Sequence, residues 1–489
     1  MADLVGTLHR DFNAAKGRTN ARSAIYGGGI EKIPSVDSDD HQTGGRFSTH
    51  EIMQEASMSS KEPMRERWRI AWVHNGDMGG SKRFAFEMVR NLSARGHVID
   101  EFIVRGSVSN VDYLPLKPYV QSSSEVILRR AYPLWRLRPH LLGCYAQLGS
   151  TLWTMRKVKQ QFEGFANVIN ATEYDFVHID QYPTCRTIGI LPYLRRLTLV
   201  YSHEPSTVRY EESSRSASLD QSSVRKGFYT SLCDVASKLP TNMRNRRDIV
   251  QTKLAHTILT NSYYSKEVFF QRYGRHSKVC YPGVDCSAFG LATLPVEPMV
   301  LSAGRIVRAK QHHLVIEAVA LIEQTQRPRV VIATAEHIER LEDPCYSEEL
   351  VQMAKDRDVD LTVRYRPSQL ELVSLYGQAL AVVFVPIMEP FGLVAIEAMA
   401  SGTPVIGIKE AAVRESVIDG VTGILVDRDA SQIAAAIIRL QQHKEMRAEM
   451  SRQAVEHVRA HWTWERTIER YEEEVRKVLN ARAHPTPAA

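Results

Sequence analysis

Residues 388–407 read MEPFGLVAIEAMASGTPVIG, and this stretch carries the pattern that decides the fold. A Pro-Phe-Gly turn opens an apolar segment of helical length, and Gly402 ends it before a run typical of a buried strand. Glu389 lies in the turn and Glu397 lies inside the apolar helix. A carboxylate among apolar neighbours is costly to bury without partners, so Glu397 is expected to meet hydroxyl donors or a basic side chain.

Short apolar strands and amphipathic helices alternate on both sides of this stretch. The alternation starts with RWRIAWVH at Arg67 and starts again with MVLSAG at Met299. Strands that alternate with helices predict parallel sheets with helices on their faces, and 489 residues favour more than one domain. The predicted fold class is therefore α/β, with two Rossmann-like parallel-sheet domains facing a central cleft.

Changes of composition divide the chain into segments. The predicted segments are a disordered tail (1–67), an N-terminal Rossmann-like domain (68–285) with a helical insertion at about 204–254, a C-terminal Rossmann-like domain (286–460), a helix (461–480) and a second tail (481–489).

Several classes of protein are disfavoured by composition. No run approaches the roughly 18 consecutive apolar residues of a membrane span, and MADLVGTLHRDFNAAKGRTN lacks the apolar core of a secretion signal. Six scattered cysteines without a CxxC pair indicate reduced thiols rather than a zinc site. These features predict a cytoplasmic location.

The net charge of +6 is concentrated between residues 120 and 160. This segment has seven Lys or Arg residues and one acid, with Tyr132, Trp135 and Trp153 among them. The mixture suits membrane headgroups, a phosphorylated acceptor or nucleic acid. Of these partners we expect the inner face of an anionic membrane, contacted peripherally, or a lipid-linked acceptor. We do not expect binding of nucleic acid. The alternative is a solvated helical face with its aromatic side chains turned to the core.

Polar residues and glycines follow several predicted strands, at the end where open α/β sheets bind ligands. Gly79 and Gly80 precede a helix, whose first amides can hold a phosphate, although such a pair can also be a purely structural turn. The guanidinium of Arg305 and the ammonium of Lys310 together suit a diphosphate. The alternative is that both side chains belong to a solvated loop. The remaining candidates are Asp180, His203, Gly304, Glu389, and the helix start at Phe391 and Gly392.

Together these motifs resemble the retaining glycosyltransferases of family four, which have the GT-B architecture. The donor-binding signature is matched by EPFGLVAIEAMASGTPVIG followed by EAAVRESVIDGVTGILVD, and the diphosphate loop by SAGRIVRAKQHHLVIEA. The glycine loop is matched by HNGDMGGSKRFAFEMVRNLSARGH, the inter-domain segment by NSYYSKEVFFQRYG, and the returning helix by WTWERTIERYEEEVRKVL. The resemblance covers about residues 67–479.

The resemblance implies hexosyl transfer from a UDP- or GDP-hexose to an acceptor hydroxyl, with retention of configuration, in glycan, polysaccharide or glycolipid biosynthesis. The acceptor would be a glycan, a lipid-linked sugar or a small molecule. No bound metal and no permanent cofactor are implied, because basic side chains neutralise the diphosphate. The resemblance implies that Glu397 binds the ribose and that Glu389 binds the hexose, together with the amides of Phe391, Gly392 and Leu393. It implies that Gly304, Arg305 and Lys310 bind the diphosphate. It also implies that the loop closes at Gly79 and Gly80 and that His203 contacts the reacting sugar.

Three positions, at two places in the chain, depart from the family pattern. Ala411 and Ala412 stand where two glycines are usual, and Gln311 stands where a glycine is usual. The alternatives are a sugar-nucleotide epimerase or phosphorylase of the same architecture, or a non-catalytic sugar-nucleotide-binding protein. A nicotinamide-dependent dehydrogenase is disfavoured, because the first loop lacks the pattern G-x-G-x-x-G.

Overall fold

The computed structural model describes seven ranges of the chain: 66–75, 79–105, 114–128, 141–181, 187–204, 246–290 and 295–483. Side chains are described in these ranges except at 141–155, 340, 482 and 483. Three predicted segments therefore lie wholly or largely outside the described residues: the tail over 1–67, the insertion over about 204–254 and the end of the chain after 483.

The first half of the chain builds a sheet of seven parallel strands in the order β3-β2-β1-β4-β5-β6-β7. Its central strands are buried on both faces, which explains their continuous apolar runs. The strands are β1 (Arg69–His74), β2 (Val98–Arg105), β3 (Ser122–Ile127), β4 (Phe176–Gln181), β5 (Thr198–Ser202), β6 (Thr257–Thr260) and β7 (Lys278–Val279).

Three described α-helices accompany this sheet: α1 (Gly80–Ala94), α2 (Leu141–Asn170) and α3 (Tyr263–Tyr273). A short helix, α4 (Cys286–Phe289), follows in the chain, and its Phe289 packs into the core of the second half. Helix α1 buries Phe84, Met88 and Leu92, which recur at helical spacing on one face. Helix α3 begins at Ser262, whose hydroxyl accepts from the amide of Ser265, and ends at a left-handed glycine.

The second half builds a sheet of six parallel strands in the order β10-β9-β8-β11-β12-β13. Its strands are β8 (Met299–Ala303), β9 (Arg329–Thr334), β10 (Leu361–Tyr365), β11 (Ala381–Phe384), β12 (Val405–Ile408) and β13 (Gly423–Val426). Its helices are α5 (His312–Ala320), α6 (Pro344–Asp356), α7 (Gln369–Gln378), α8 (Leu393–Ala400), α9 (Val413–Ser416), α10 (Ala430–Gln442) and α11 (Lys444–His461).

Both sheets reverse their strand order at one point, between β1 and β4 in the first sheet and between β8 and β11 in the second. Ligands of open α/β sheets bind outside the carboxyl ends of the strands at such a point. The candidate residues follow β1, β5, β8 and β11, so the topology places them at these ends. The predicted α/β class with two parallel sheets is confirmed.

The last helix, α12 (Trp464–Ala483), follows the second sheet in the chain but packs into the core of the first. Its buried residues Trp464, Ile468 and Tyr471 share a hydrophobic cluster with Trp68 and Trp72. The two halves of the chain are thus joined by apolar packing as well as by the covalent chain.

The segment between residues 120 and 160 contains an edge strand and the start of a helix of 30 residues. Strand β3 was not foreseen in the sequence, because its SSSEVI pattern is polar at most positions. Residues 129–140 and the side chains of 141–155 lie outside the description, so membrane contact through 120–160 stays a prediction. No helix in the described ranges is long and apolar enough to cross a bilayer.

Candidate functional site

Glu397 is buried in α8 and is held by two side chains. The hydroxyl of Tyr376, on α7, donates to Glu397 Oε2 at 2.9 Å, and Arg83, on α1, forms an ion pair with Oε1. Burial, together with this carboxylate, raises the pKa of Tyr376 well above its usual value, so the hydroxyl stays a donor. Of the two alternatives weighed from the sequence, the structure contains the ion pair with a basic side chain. Ribose binding by Glu397 stays a prediction.

Glu389 and Lys310 lie together, as the sequence predicted for two parts of one site. Lys310 Nζ is 2.6 Å from Glu389 Oε2, and both side chains are mostly buried, at 19% and 16% exposure. The stem of Lys310 passes 3.5 Å from the position that a Cβ would take at Gly304. Gly304 also has a φ of 147°, so a side chain there would strain the backbone, although a Cβ would only be in ordinary contact with the lysine.

Arg305 belongs to the same loop, but its side chain lies at the surface. Its guanidinium pairs with Glu342, and the two side chains are 53% and 56% exposed. His312 holds the backbone of this loop through both ring nitrogens. Its Nδ1 accepts from Ser302 Oγ at 2.8 Å, and its Nε2 donates to the carbonyl of Arg305 at 3.0 Å. Burial lowers the pKa of His312 to about 4, so the ring is neutral near pH 7 and can accept and donate at once.

Two helix starts point toward the same region. Helix α8 begins after Gly392, which has a φ of 91°, and a Cβ there would meet Phe384 Cε1 at 2.7 Å. Helix α1 begins after Gly79, and a Cβ on Gly80 would lie 3.4 Å from Leu393 Cδ1. Neither helix has an acidic residue in its first turn, so both leave amide dipoles for an anion.

Phe391 packs into the apolar core beneath this region. It is 4% exposed and its ring lies 5.7 Å from that of Trp462. Its side chain therefore serves packing, and its predicted part in binding is limited to the backbone. The amide of Ala412 donates to the carbonyl of Glu389 at 3.2 Å, so the departure Ala411-Ala412 lies directly beside the donor-sugar candidate.

His203 forms one end of a buried polar chain that the sequence did not reveal. Its Nε2 is 2.9 Å from Asp180 Oδ1, and the same oxygen is 3.2 Å from His178 Nε2. The chain continues from His178 Nδ1 to the hydroxyl of Tyr471 at 2.8 Å, and Trp72 Nε1 donates to the second oxygen of Asp180 at 3.0 Å.

Asp180 is held in its ionised form. Burial alone would raise the pKa of Asp180, but the donors on His178 and His203 outweigh it and hold that pKa below its usual range. Burial lowers the pKa of His178. An ionised Asp180 next to the two rings fixes a proton on Nε2 of each, which orients His203 at the carboxyl end of β5.

Two further carboxylates, Glu204 and Glu415, belong to this region and were given no role from the sequence. Burial and the charge of Glu389 raise the pKa of Glu204, while Lys310 and Arg305 oppose the rise, so Glu204 lies within electrostatic range of the candidate diphosphate loop. Glu415 accepts from the amides of Tyr263 and Tyr264 at 2.9 and 2.8 Å. Glu415 thereby connects the start of α3 to the second sheet. The sequence signals for these two residues are the position of Glu204 directly after His203 and the position of Glu415 within EAAVRES.

No group of three or more His, Cys, Asp or Glu side chains arranged for a metal ion occurs among the residues that the structure describes.

Comparison with known proteins places this arrangement in a family. Residues 292–457 match the family model for Glycosyl transferases group 1. The chain is 26% identical over 438 residues to a D-inositol 3-phosphate glycosyltransferase of Nocardiopsis dassonvillei, covering 84% of this chain and 93% of that protein. It is 32% identical over 237 residues to the protein of that name from Corynebacterium urealyticum, covering 43% of this chain. That second match spans about half of the relative, 55%.

A solved structure supports the fold over most of the chain. The Anabaena protein Alr3699/HepE, crystallised in complex with UDP and glucose, superposes with a TM-score of 0.60 and 16% identity. The superposition covers 84% of this chain and 100% of that one. Residues 292–457 thus match the group 1 glycosyltransferases, and the two parallel-sheet halves of the chain have the GT-B fold.

Proposed function

We propose that this protein transfers a hexosyl group from a nucleotide diphosphate sugar to an acceptor hydroxyl, with retention of configuration. The observation that carries the proposal is the grouping of Lys310, Glu389 and Glu397 around the start of α8, at the carboxyl ends of β8 and β11. A cation, two carboxylates and free helix amides are the groups that a diphosphate and sugar hydroxyls require.

The donor would replace contacts that the protein now makes with itself. Arg305 would exchange Glu342 for a phosphate at little cost, because both side chains are more than half exposed. Ribose hydroxyls would take the place of Arg83 at Glu397, while Tyr376 stays bound to the other oxygen. Lys310 would divide its charge between Glu389 and the diphosphate.

Negative charge grows on the departing phosphate as the glycosidic bond breaks. Lys310, Arg305 and the amides at the start of α8 would stabilise that charge, so no metal ion is required in this proposal. Glu389 would hold hydroxyls of the hexose, and His203, oriented by Asp180, would contact the reacting sugar. A UDP-sugar donor is supported by the complex of Alr3699/HepE with UDP and glucose. A small phosphorylated polyol as acceptor is supported by the names of the D-inositol 3-phosphate glycosyltransferases.

The test is a thermal-shift screen of UDP-, GDP- and ADP-hexoses, followed by product analysis with the donor that binds. Lys310→Ala should lower turnover by on the order of a hundredfold, as when one donor to a developing oxyanion is removed. The matched control is Lys355→Ala, at an exposed lysine of α6. Equal turnover in the Lys310 variant and the wild type would reject the proposed diphosphate role.

The same assay separates the alternatives. An epimerase converts the donor when no acceptor is present, whereas a transferase needs the acceptor. A non-catalytic binding protein would raise its melting temperature with a donor and give no product with any acceptor.

A further inference from the structure

A polar cavity lies on the first sheet, away from the candidate donor site. It has a volume of about 250 Å³ and lies at the amino ends of β6 and β7. The opposite end of β6 leads to Ser262, whose hydroxyl donates to the carbonyl of Pro390 at 2.6 Å. Five residue steps of extended chain separate Thr257 from Ser262, roughly 16 Å, so this cavity is separate from the candidate donor site.

The lining of the cavity is cationic. Lys266, Arg275 and Lys278 contribute permanent charges, and the other lining groups are His256, Thr257, Ile258, His276 and Ser277, with no carboxylate. The chain from 246 to 278 has seven Lys or Arg residues and two acids, a net charge of +5. One of those acids, Asp248, is buried and accepts from Tyr273 at 2.9 Å. Within the described part of the chain, none of the three lining cations forms an ion pair with a carboxylate.

Several of these groups are already held in place by the protein. Arg275 Nη1 donates to the carbonyls of Thr252, Lys253 and Ala255, at 3.2, 3.0 and 2.6 Å. The ring of His276 stacks on that of Phe270, with 4.6 Å between centroids and 19° between planes.

His256 is oriented in the same way. Its Nδ1 accepts from the backbone amide of Thr198 at 3.1 Å, so the neutral ring carries its proton on Nε2. That nitrogen is a donor, so the side chains that line the cavity offer N–H donors and hydroxyl groups, and no carboxylate.

We propose that this cavity binds a phosphate-class oxyanion, either free or as the headgroup of a phospholipid. Oxyanions have acceptors only, and the lining supplies ammonium, guanidinium, imidazole and hydroxyl donors from several directions. A volume of about 250 Å³ suits a phosphate or a small phosphate ester and is below that of sites for drug-sized ligands.

The test uses the full chain with Lys310→Ala as background, so that binding at the donor site is suppressed. Inorganic phosphate and pyrophosphate are titrated by calorimetry, and phosphatidylcholine vesicles with and without phosphatidylglycerol are used in flotation. The double substitution Lys266→Gln with Lys278→Gln should weaken binding by at least tenfold. The control is Lys355→Gln with Lys444→Gln, two exposed lysines on α6 and α11, which should bind as the background does.

Each outcome decides the proposal. Saturable binding of phosphate or pyrophosphate that is lost in the pocket variant identifies a free anion as the ligand. Binding to anionic vesicles alone, lost in the same variant, identifies a headgroup. The proposal is overturned if no probe binds, or if the pocket variant and the control bind equally well. Thermal unfolding of both variants verifies that they are folded.

Discussion

At the scale of single residues, Arg83 and Glu397 show how the protein satisfies a carboxylate that a ligand is proposed to use. Arg83→Gln removes the ion pair and leaves the buried carboxylate of Glu397 with the hydroxyl of Tyr376, so the donor-free protein should lose about 1–3 kcal/mol of stability. The donor should then raise the melting temperature by more than it does in the wild type, because its hydroxyls no longer compete with the guanidinium. The control is Arg452→Gln, in an exposed pair on α11. A smaller donor shift in the Arg83 variant would contradict competition at Glu397.

Asp180 orients His203 and is therefore expected to affect both catalysis and acid stability. Asp180→Asn should lower kcat by roughly tenfold or more with little change in KM, because the amide no longer fixes the proton on Nε2 of His203.

The folded-state pKa of Asp180 is below its unfolded value, so its stabilisation is present above about pH 4 and is lost as pH falls further. Urea unfolding between pH 2 and pH 6 should therefore vary less steeply with pH in the variant. An identical pH profile for both proteins would remove Asp180 from this role.

At the scale of elements, helix α8 depends on a glycine at its start. Gly392→Ala places a Cβ at positive φ and 2.7 Å from Phe384, which should cost about 1–3 kcal/mol in urea unfolding. It should also weaken donor binding, because the amides at the start of α8 would shift. Gly164→Ala is the matched control in α2, where a Cβ meets nothing within 4 Å and should stabilise the helix by roughly 0.5–1 kcal/mol. Similar unfolding energies for the two variants would show that the turn accepts a side chain.

At the scale of the whole molecule, α12 makes the first sheet depend on the last residues of the described chain. Ile468 is fully buried in the cluster that contains Trp68 and Trp72, so Ile468→Ala should destabilise the protein by about 2–5 kcal/mol. Hydrogen exchange should quicken in β1, although β1 is far from residue 468 in sequence. Glu469→Ala, at an exposed neighbour on α12, is the control. Unchanged exchange in β1 would show that α12 packs on the first sheet without stabilising it.

The local sequence pattern was sufficient to predict much of the fold of this molecule. Short continuous apolar runs predicted the strands, and a period of 3.6 residues with glycines at the ends predicted the helices between them. Their alternation implies parallel sheets with ligand groups at the carboxyl ends of the strands. Lys310 and Glu389 could be assigned to one site because each follows a strand on one side of the same switch point. Strand β3 was missed because an exposed edge strand has no apolar run to mark it.

Only the tertiary structure decided which side chains meet across elements. Arg83 and Glu397 are 314 residues apart in the chain, and His178 and Tyr471 are 293 apart. Amphipathic periodicity reveals which face of a helix is buried, but not which residue of another element that face will contact. The amino-acid sequence by itself therefore determined the two sheets and the edge where a ligand would bind. The partners of Glu397, the exposure of Arg305 and the support of His203 depended on packing, because burial and charge pairing are properties of the assembled fold.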